Sequence, residues 1–287
     1  MSDIDMRAAQ IVAAARHDVE IRQRQVPLET VKELALETQK PLPVLDALGS
    51  EGSVTVIAEL KRISPSTGTI AQINNPEWLA NEYIAGGAAM ISVTTNRRLY
   101  GGSLADLVRI RPHIQAPILV KDLLVSPYQI HEARAAGADM ILVSAPLLAP
   151  DVLLGFIERI HSLGMVALVD VYSRLQALQA LDAGAEVVGI NARDLFTGEV
   201  NMENFAQIVD VLPQTVIAVA ESGVRTPQDV FRYAEQGADC VLIGEALVRS
   251  DNPQATVSEM VAAGSHPAVS GSRTERIDRA NRKRSER

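Results

Sequence analysis

Charged side chains stand where short β-branched runs of this chain end, and their types suit proton transfer. The first run closes on Glu59-Leu60-Lys61, and the two-residue period of a strand puts those opposite charges on one face. Later runs close on Lys121, Asp170, Asn191 and Glu221-Ser222-Gly223, and the last on Gly244-Glu245. Lysines and carboxylates gathered at one place are the groups of general acid–base chemistry. Ser222-Gly223 and Gly244-Glu245 add backbone N–H groups of the kind that hold phosphate after the seventh and eighth strands of a barrel. The histidines (His17, His113, His131, His161 and His266) avoid all these run ends. No His, Cys and carboxylate cluster has metal-ligand spacing, so the expected chemistry needs neither a metal nor another cofactor.

Something must bring these ends together. From Val54 onward, apolar runs alternate with helical stretches: Val54–Glu59, Met90–Thr94, Ile118–Lys121, Met140–Val143, Val166–Asp170, Val187–Asn191, Val216–Ala220 and Cys240–Ile243. Such alternation implies parallel strands joined by crossover helices. Gly-Gly-Ala at 86–88, Gly-Ala-Asp at 137–139, Gly-Ala-Glu at 184–186 and Gly-Ala-Asp at 237–239 precede the second, fourth, sixth and eighth runs. Each closes a helical stretch, so the repeat marks one βαβα quarter of a (β/α)8 TIM barrel. An open doubly wound sheet binding a dinucleotide would carry a Gly-x-Gly-x-x-Gly turn after its first strand, and none stands there. In a barrel, active sites lie at the C-terminal ends of the strands, and alternate strands feed common layers. Except for Glu245, the charges come from odd-numbered runs and should converge.

Residues 1–50 read as an N-terminal helical extension, broken at Pro27, Pro41 and Pro43, with a short segment at Val44–Leu48. Residues 51–263 form the expected barrel. Residues 264–287 are expected to be a disordered basic tail, since 273–287 hold seven basic and three acidic side chains and almost no apolar ones.

Composition narrows the function classes. A net charge of −8 argues against a general nucleic-acid binder. No apolar run is long enough to span a bilayer, and the start of the chain lacks a signal-peptide pattern. Cys240, the single cysteine, lies in an apolar run and reads as a buried core thiol, which suits the cytoplasm. The expected partner is a small phosphorylated substrate, not nucleic acid or membrane, handled by a monomer or weak homodimer.

The run Ile57-Ala58-Glu59-Leu60-Lys61-Arg62-Ile63-Ser64-Pro65-Ser66 closely resembles the first-strand signature of the indole-3-glycerol phosphate synthase family. Leu119-Val120-Lys121-Asp122, Pro127-Tyr128-Gln129-Ile130, Gly189-Ile190-Asn191-Ala192-Arg193-Asp194-Leu195 and Ala220-Glu221-Ser222-Gly223-Val224 follow in family order. The resemblance runs to about residue 266. It implies conversion of 1-(2-carboxyphenylamino)-1-deoxyribulose 5-phosphate to indole-3-glycerol phosphate with loss of CO2 and water. By that resemblance Lys121 is the general acid for ring closure, while Lys61 holds substrate and assists dehydration. Glu59 orients the lysines, and Asn191 and Glu221 position the intermediate. Ser64 and Arg193 stand near the substrate carboxylate or ring end, and Tyr100 takes the place of a family aromatic. The amides around Ser222, Gly223, Gly244 and Glu245 hold the phosphate.

Several positions depart from the family pattern. The fifth strand usually ends Leu-Val-Glu-Val-His with a glutamate base; here it reads Leu168-Val169-Asp170-Val171-Tyr172. Asn96 replaces an acid, Leu123 a phenylalanine, Ile63 a basic or small residue, and Ser144-Ala145-Pro146 is unusual after the fourth strand. The phosphate end keeps the pattern, while the ring and general-base side has drifted. Two alternatives therefore accompany the standard synthase: a paralogue acting on a modified anthranilate-derived substrate, and a weakly active barrel that binds a phosphoribulose ligand. A sugar-phosphate isomerase or epimerase would not need Glu59, Lys61 and Lys121 together.

Overall fold

The structure is a computed structural model that describes residues 3–49, 52–64, 67–194 and 197–285. Pro65-Ser66 and Leu195 of the family-like motifs lie outside the described residues. Eight parallel strands close into a barrel: β1 (Thr55–Leu60), β2 (Met90–Thr94), β3 (Ile118–Lys121), β4 (Met140–Ser144), β5 (Val166–Val171), β6 (Val187–Asn191), β7 (Ile217–Glu221) and β8 (Cys240–Ile243). Each pairs with its sequence neighbours, and β1 pairs with both β2 and β8 to close the ring. Every strand lies within one residue of its sequence expectation. Gly87, Gly137, Gly184 and Gly237 adopt φ of 96°, 95°, 83° and 99°. The quarter repeat is thus a repeated left-handed helix exit, a conformation glycine takes without strain.

The barrel interior is layered as the strand period requires. Met90, Met140, Val187 and Cys240 come from even strands, and Ile57, Leu119, Leu168 and Val219 from odd ones; all belong to one buried cluster. Two residues further along the odd strands stand Glu59, Lys121, Asp170 and Glu221. A layer that packing alone would fill with branched aliphatics is therefore charged throughout. Outward-facing residues such as Ile91, Val120, Val143 and Val188 join the second, larger core under the helices.

The N-terminal residues form α1 (Asp3–Gln25), α2 (Leu28–Glu37) and α3 (Val44–Leu48). Val44 and Leu48 pack into the interior cluster and close the barrel floor. Val19, Val31 and Tyr128 seat α1 and α2 on the helix Pro127–Ala135. Cys240 is fully buried, and burial pushes its thiol up to about 12, which leaves it inert at neutral pH.

The expectation of a disordered tail from residue 264 is corrected by the structure. Pro267–Val269 form a 3-10 turn and Arg273–Ser285 an α-helix. Arg273 and Arg276 are 4% and 3% exposed, and both pair with Asp239. Arg273 also donates to the carbonyls of Leu212 and Val216, and Arg276 to that of Ala238. Composition registers the charge of a segment but not the buried acceptors that await it.

Candidate active site

Lys121, at the end of β3, is the hub of the charged layer. Its Nζ donates to Glu221 Oε2 across the barrel at 2.8 Å and lies 3.3 Å from Glu59 Oε2. Lys61 Nζ stands 3.6 Å from Glu59 Oε1. Burial disfavours every one of these charges, so their mutual arrangement decides the outcome. For Lys121, burial alone would lower the pKa, but Glu221 and Glu59 outweigh it and hold the ammonium far above the ordinary lysine range. For Glu59, burial would raise the pKa, and the Lys121 and Lys61 ammoniums pull it below the usual value instead. Glu221 is fully buried, and its Oε1 has no hydrogen-bond partner among the described residues. Gly189 in β6 makes room for that oxygen, since a Cβ there would stand 2.2 Å from it.

Asp170, at the end of β5, sits among neutral donors. Tyr172 Oη donates to its Oδ2 at 2.8 Å and Ser144 Oγ at 3.4 Å; Asn191 Nδ2 donates to Oδ1 at 3.2 Å. Burial and then the Glu221 charge raise its pKa to about 7, against the pull of Lys121 and the two hydrogen bonds from Tyr172 and Asn191. One carboxylate at this centre is therefore poised to exchange a proton near neutrality. Asn191 is itself oriented by Ser222 Oγ and the Arg193 amide, which donate to its Oδ1 at 2.9 and 3.0 Å.

Two cavities meet over this layer. The larger, about 700 Å3, is lined by Ser222, Gly223, Gly244 and Glu245 together with Arg225, Arg232 and Arg249. Ser222 has φ of 68° and Gly223 of 87°, so the chain leaves β7 through two consecutive left-handed residues. The smaller, about 220 Å3, is lined by Leu99, Tyr100, Leu123, Leu142, Leu147 and Tyr172, with Ser64, Asp170 and Asn191. Ile11 of α1 also reaches it. Lys61, Lys121, Arg193 and Ser222 line both. A ligand with an anionic end and an apolar ring could lie across the two, with its middle at the lysines.

Every residue expected to catalyse or to bind substrate or phosphate falls in this region: Glu221 lies beneath the cavities and the others line one or both. Of the departures, Asp170, Tyr172, Ser144 and Leu123 gather in the smaller cavity. Asn96 does not: it caps the short helix Arg97–Tyr100 and donates to Asp122 Oδ1 at 3.0 Å. Ile63 packs beneath Gly101, on the loop that carries Tyr100. Sequence reasoning missed Arg232 and Arg249 beside the larger cavity and Ile11, Leu142 and Leu147 around the smaller. Arg232 and Arg249 follow the seventh and eighth strands, and that position was the available signal. Nothing in its local pattern marked Ile11.

An acid–base centre of lysines and carboxylates at the C-terminal face of a closed eight-stranded barrel defines a (β/α)8-barrel enzyme. Solved structures with the same fold include 3-hexulose-6-phosphate synthase from Salmonella typhimurium (TM-score 0.60, 15% identity, 73% of this chain and 98% of that one). Thiamine phosphate pyrophosphorylase from Pyrococcus furiosus gives a TM-score of 0.56 at 16% identity, over 78% of this chain and 97% of that one. At such identities the likeness carries the fold alone. The chain belongs to the indole-3-glycerol phosphate synthase family, whose model matches residues 8–260. It is 51% identical to the indole-3-glycerol phosphate synthase of Beutenbergia cavernae and 49% to that of Saccharopolyspora erythraea, in each case over 90% of this chain and 96% of the relative. It is thereby a decarboxylating carbon–carbon lyase of the tryptophan-biosynthesis type. No helix among the described residues is long and apolar enough to cross a membrane.

Proposed function

We propose that the chain closes the indole ring of indole-3-glycerol phosphate from 1-(2-carboxyphenylamino)-1-deoxyribulose 5-phosphate, with Lys121 as general acid and Asp170 as general base. The observation that carries this reading is the buried Lys121 ammonium, clamped between Glu221 and Glu59 where the two cavities join. The phosphate lies in the larger cavity against the amides of Ser222, Gly223, Gly244 and Glu245, and the carboxyphenyl ring in the smaller one beside Tyr100. Ser64 and Arg193 face the carboxylate.

The chemistry follows from these places. As the ring carbon attacks the ketone, the developing alkoxide takes the Lys121 proton, and Glu221 and Glu59 stabilise the ammonium before transfer. Carbon dioxide leaves and restores the aromatic ring. Lys61 then protonates the departing hydroxyl, while the Asp170 side removes the neighbouring carbon-bound proton. Asn191 holds both Asp170 and the intermediate. The residues present carry each proton step without a metal or other cofactor.

A second reading is favoured by one observation: the departures from the family pattern crowd the smaller cavity and spare the larger. It gives the protein a ring-substituted substrate. Steady-state assay with the unsubstituted substrate decides between the two readings. Turnover of about 1–10 per second supports the standard reaction and sinks altered ring specificity; turnover only with substituted rings does the reverse. Phosphate binding with no turnover of any of them would leave a weakly active ligand-binding barrel.

We place the protein in the cytoplasm as a monomer or weak homodimer. Its one cysteine is buried, and its exposed large apolar side chains, among them Leu36, Trp78, Val108 and Leu175, are spread over separate helices.

A further inference from the structure

Asp170 is shorter by one methylene than the glutamate its family pattern leads one to expect, a loss of about 1.5 Å of reach. Both its oxygens already accept hydrogen bonds, and the residue is only 4% exposed. Oδ2 takes two of these bonds and Oδ1 one, so a proton leaving the substrate has two routes, the remaining lone pair of Oδ1 or a group already bound to the carboxylate. The shorter reach of aspartate favours the second, through one of the groups bound to it. Three are candidates. The Asn191 amide nitrogen donates but has no lone pair to accept a proton. Ser144 Oγ stands at 3.4 Å, a long contact for O–H···O. Tyr172 Oη donates at 2.8 Å, the usual length for such a bond.

Tyr172 is also held for the task. Its backbone N–H donates to Gln176 Oε1 at 2.7 Å, and its carbonyl accepts from Asn204 Nδ2 at 3.3 Å. Its hydroxyl oxygen accepts from Asn191 Nδ2 at 3.3 Å. A phenol has one proton and two lone pairs. The proton is committed to Asp170 and one lone pair to Asn191, which leaves the second lone pair for the cavity that Tyr172 lines. Lys121 and Glu221 lie beneath this pair, Tyr100 shares the cavity, and Ser144 and Asn191 flank it.

We propose that Tyr172 is a catalytic residue that relays the substrate's proton to Asp170. In the dehydration, the carbon–oxygen bond of the ring-closed intermediate breaks and hydroxide leaves as water with a proton from Lys61. The adjacent C–H bond breaks, and its electron pair becomes the new ring double bond. That proton goes to the Tyr172 oxygen as the tyrosine's own proton passes to Asp170 Oδ2. Asp170 returns the proton to solvent after product leaves, and Lys61 regains one, so the net loss is one water. The interposed hydroxyl makes up the missing methylene. This inference rests on the reading of Asp170 as general base.

The test compares wild type, Tyr172→Phe and the double variant Asp170→Glu/Tyr172→Phe with the unsubstituted substrate, over pH 5–9. Loss of the hydroxyl should lower kcat by about 100-fold, the lower end of one general-base contribution, while KM changes by less than about threefold. The double variant should recover to within about fivefold of wild type, because a glutamate reaches the carbon-bound proton unaided. The acid limb of its pH profile should persist. A Tyr172→Phe enzyme that keeps more than half the wild-type kcat overturns the relay. So does a double variant as slow as Tyr172→Phe alone, which would make the tyrosine a packing residue. Wild type that turns over no carboxyphenylamino-deoxyribulose phosphate would overturn the base assignment and the proposed function with it.

Discussion

Both ends of the barrel hold buried or half-buried carboxylates against basic side chains, yet they are built to opposite purposes. At the floor, Asp139 and Asp239 occupy corresponding places in the quarter repeat, just before β4 and β8. Asp139 accepts from the amides of Leu42 and Ile118 and from Arg111. Asp239 accepts from the Ala218 amide and from Arg273 and Arg276. All four carboxylate oxygens are taken, and neither residue lines a cavity described above. At the mouth, Glu221 Oε1 has no partner among the described residues, Lys121 is shared between two carboxylates, and the hydrogen bonds to Asp170 come from neutral groups. Buried charge by itself therefore does not mark a site. What marks it is unused bonding capacity beside open space.

The sharpest break of that comparison is Lys121→Met. Losing the shared ammonium should lower kcat by about a thousandfold or more, as removal of a general acid does. Product affinity, measured by titration calorimetry, should fall far less than kcat, since the amides of Ser222, Gly223, Gly244 and Glu245 that hold the phosphate are unchanged. Unchanged turnover would reduce the mouth to another structural ion cluster.

The reciprocal change is Asp239→Ala at the floor. It strands two buried guanidiniums, a defect of about 3–5 kcal/mol, and should lower Tm by about 6–15 °C while kcat at 25 °C stays within about twofold. A large fall in kcat at a temperature where the variant remains folded would show that the floor is coupled to the chemistry.

How legible was this in the sequence? The eight strands were, because parallel strands buried on both faces read as apolar runs and the Gly-Ala-Asp repeat counts them. The mouth was legible because charges at odd strand ends have one place to go. Partner choice was not. Asp239 reads the same as Asp139, but its arginines come from Arg273 and Arg276, more than thirty positions later, in a segment whose composition reads as unstructured. Nor did the Leu168-Val169-Asp170-Val171-Tyr172 pattern say that a side chain two residues on turns back to hydrogen-bond the aspartate. Residues two apart on a strand share a face, so that signal was present and underused.

Asp170 also ties the mouth to pH. Its carboxyl is raised from 3.8 to about 7, so the folded state favours the protonated form. Its stabilising contribution is present in full below pH 3.8 and is lost as pH rises through about 7. Asp170→Asn should therefore gain Tm over wild type at pH 8 and not at pH 4, a stability that comes at the expense of activity. The base form grows in the same window, so kcat/KM should fall about tenfold per pH unit below 7. A flat profile between pH 5.5 and 7 would mean that Asp170 is not the base.

The smallest effect expected is at Asn96, where the family pattern has an acid. Its Oδ1 accepts from the amides of Arg98 and Leu99 and its Nδ2 donates to Asp122, so one side chain caps a helix and satisfies a carboxylate. The substitution Asn96→Asp would keep the cap, for which aspartate serves as well as asparagine. It would exchange the donor for a second negative charge beside Asp122, next in sequence to Lys121. The cost is one partly buried hydrogen bond, about 1 kcal/mol, or about 2–4 °C in Tm. Because Asn96 lines neither cavity, the variant should keep kcat and KM within about twofold of wild type. If instead it raises kcat severalfold, the loop after β2 belongs to the catalytic end of the barrel, and the boundary between satisfied and unsatisfied charge must move outward to include it.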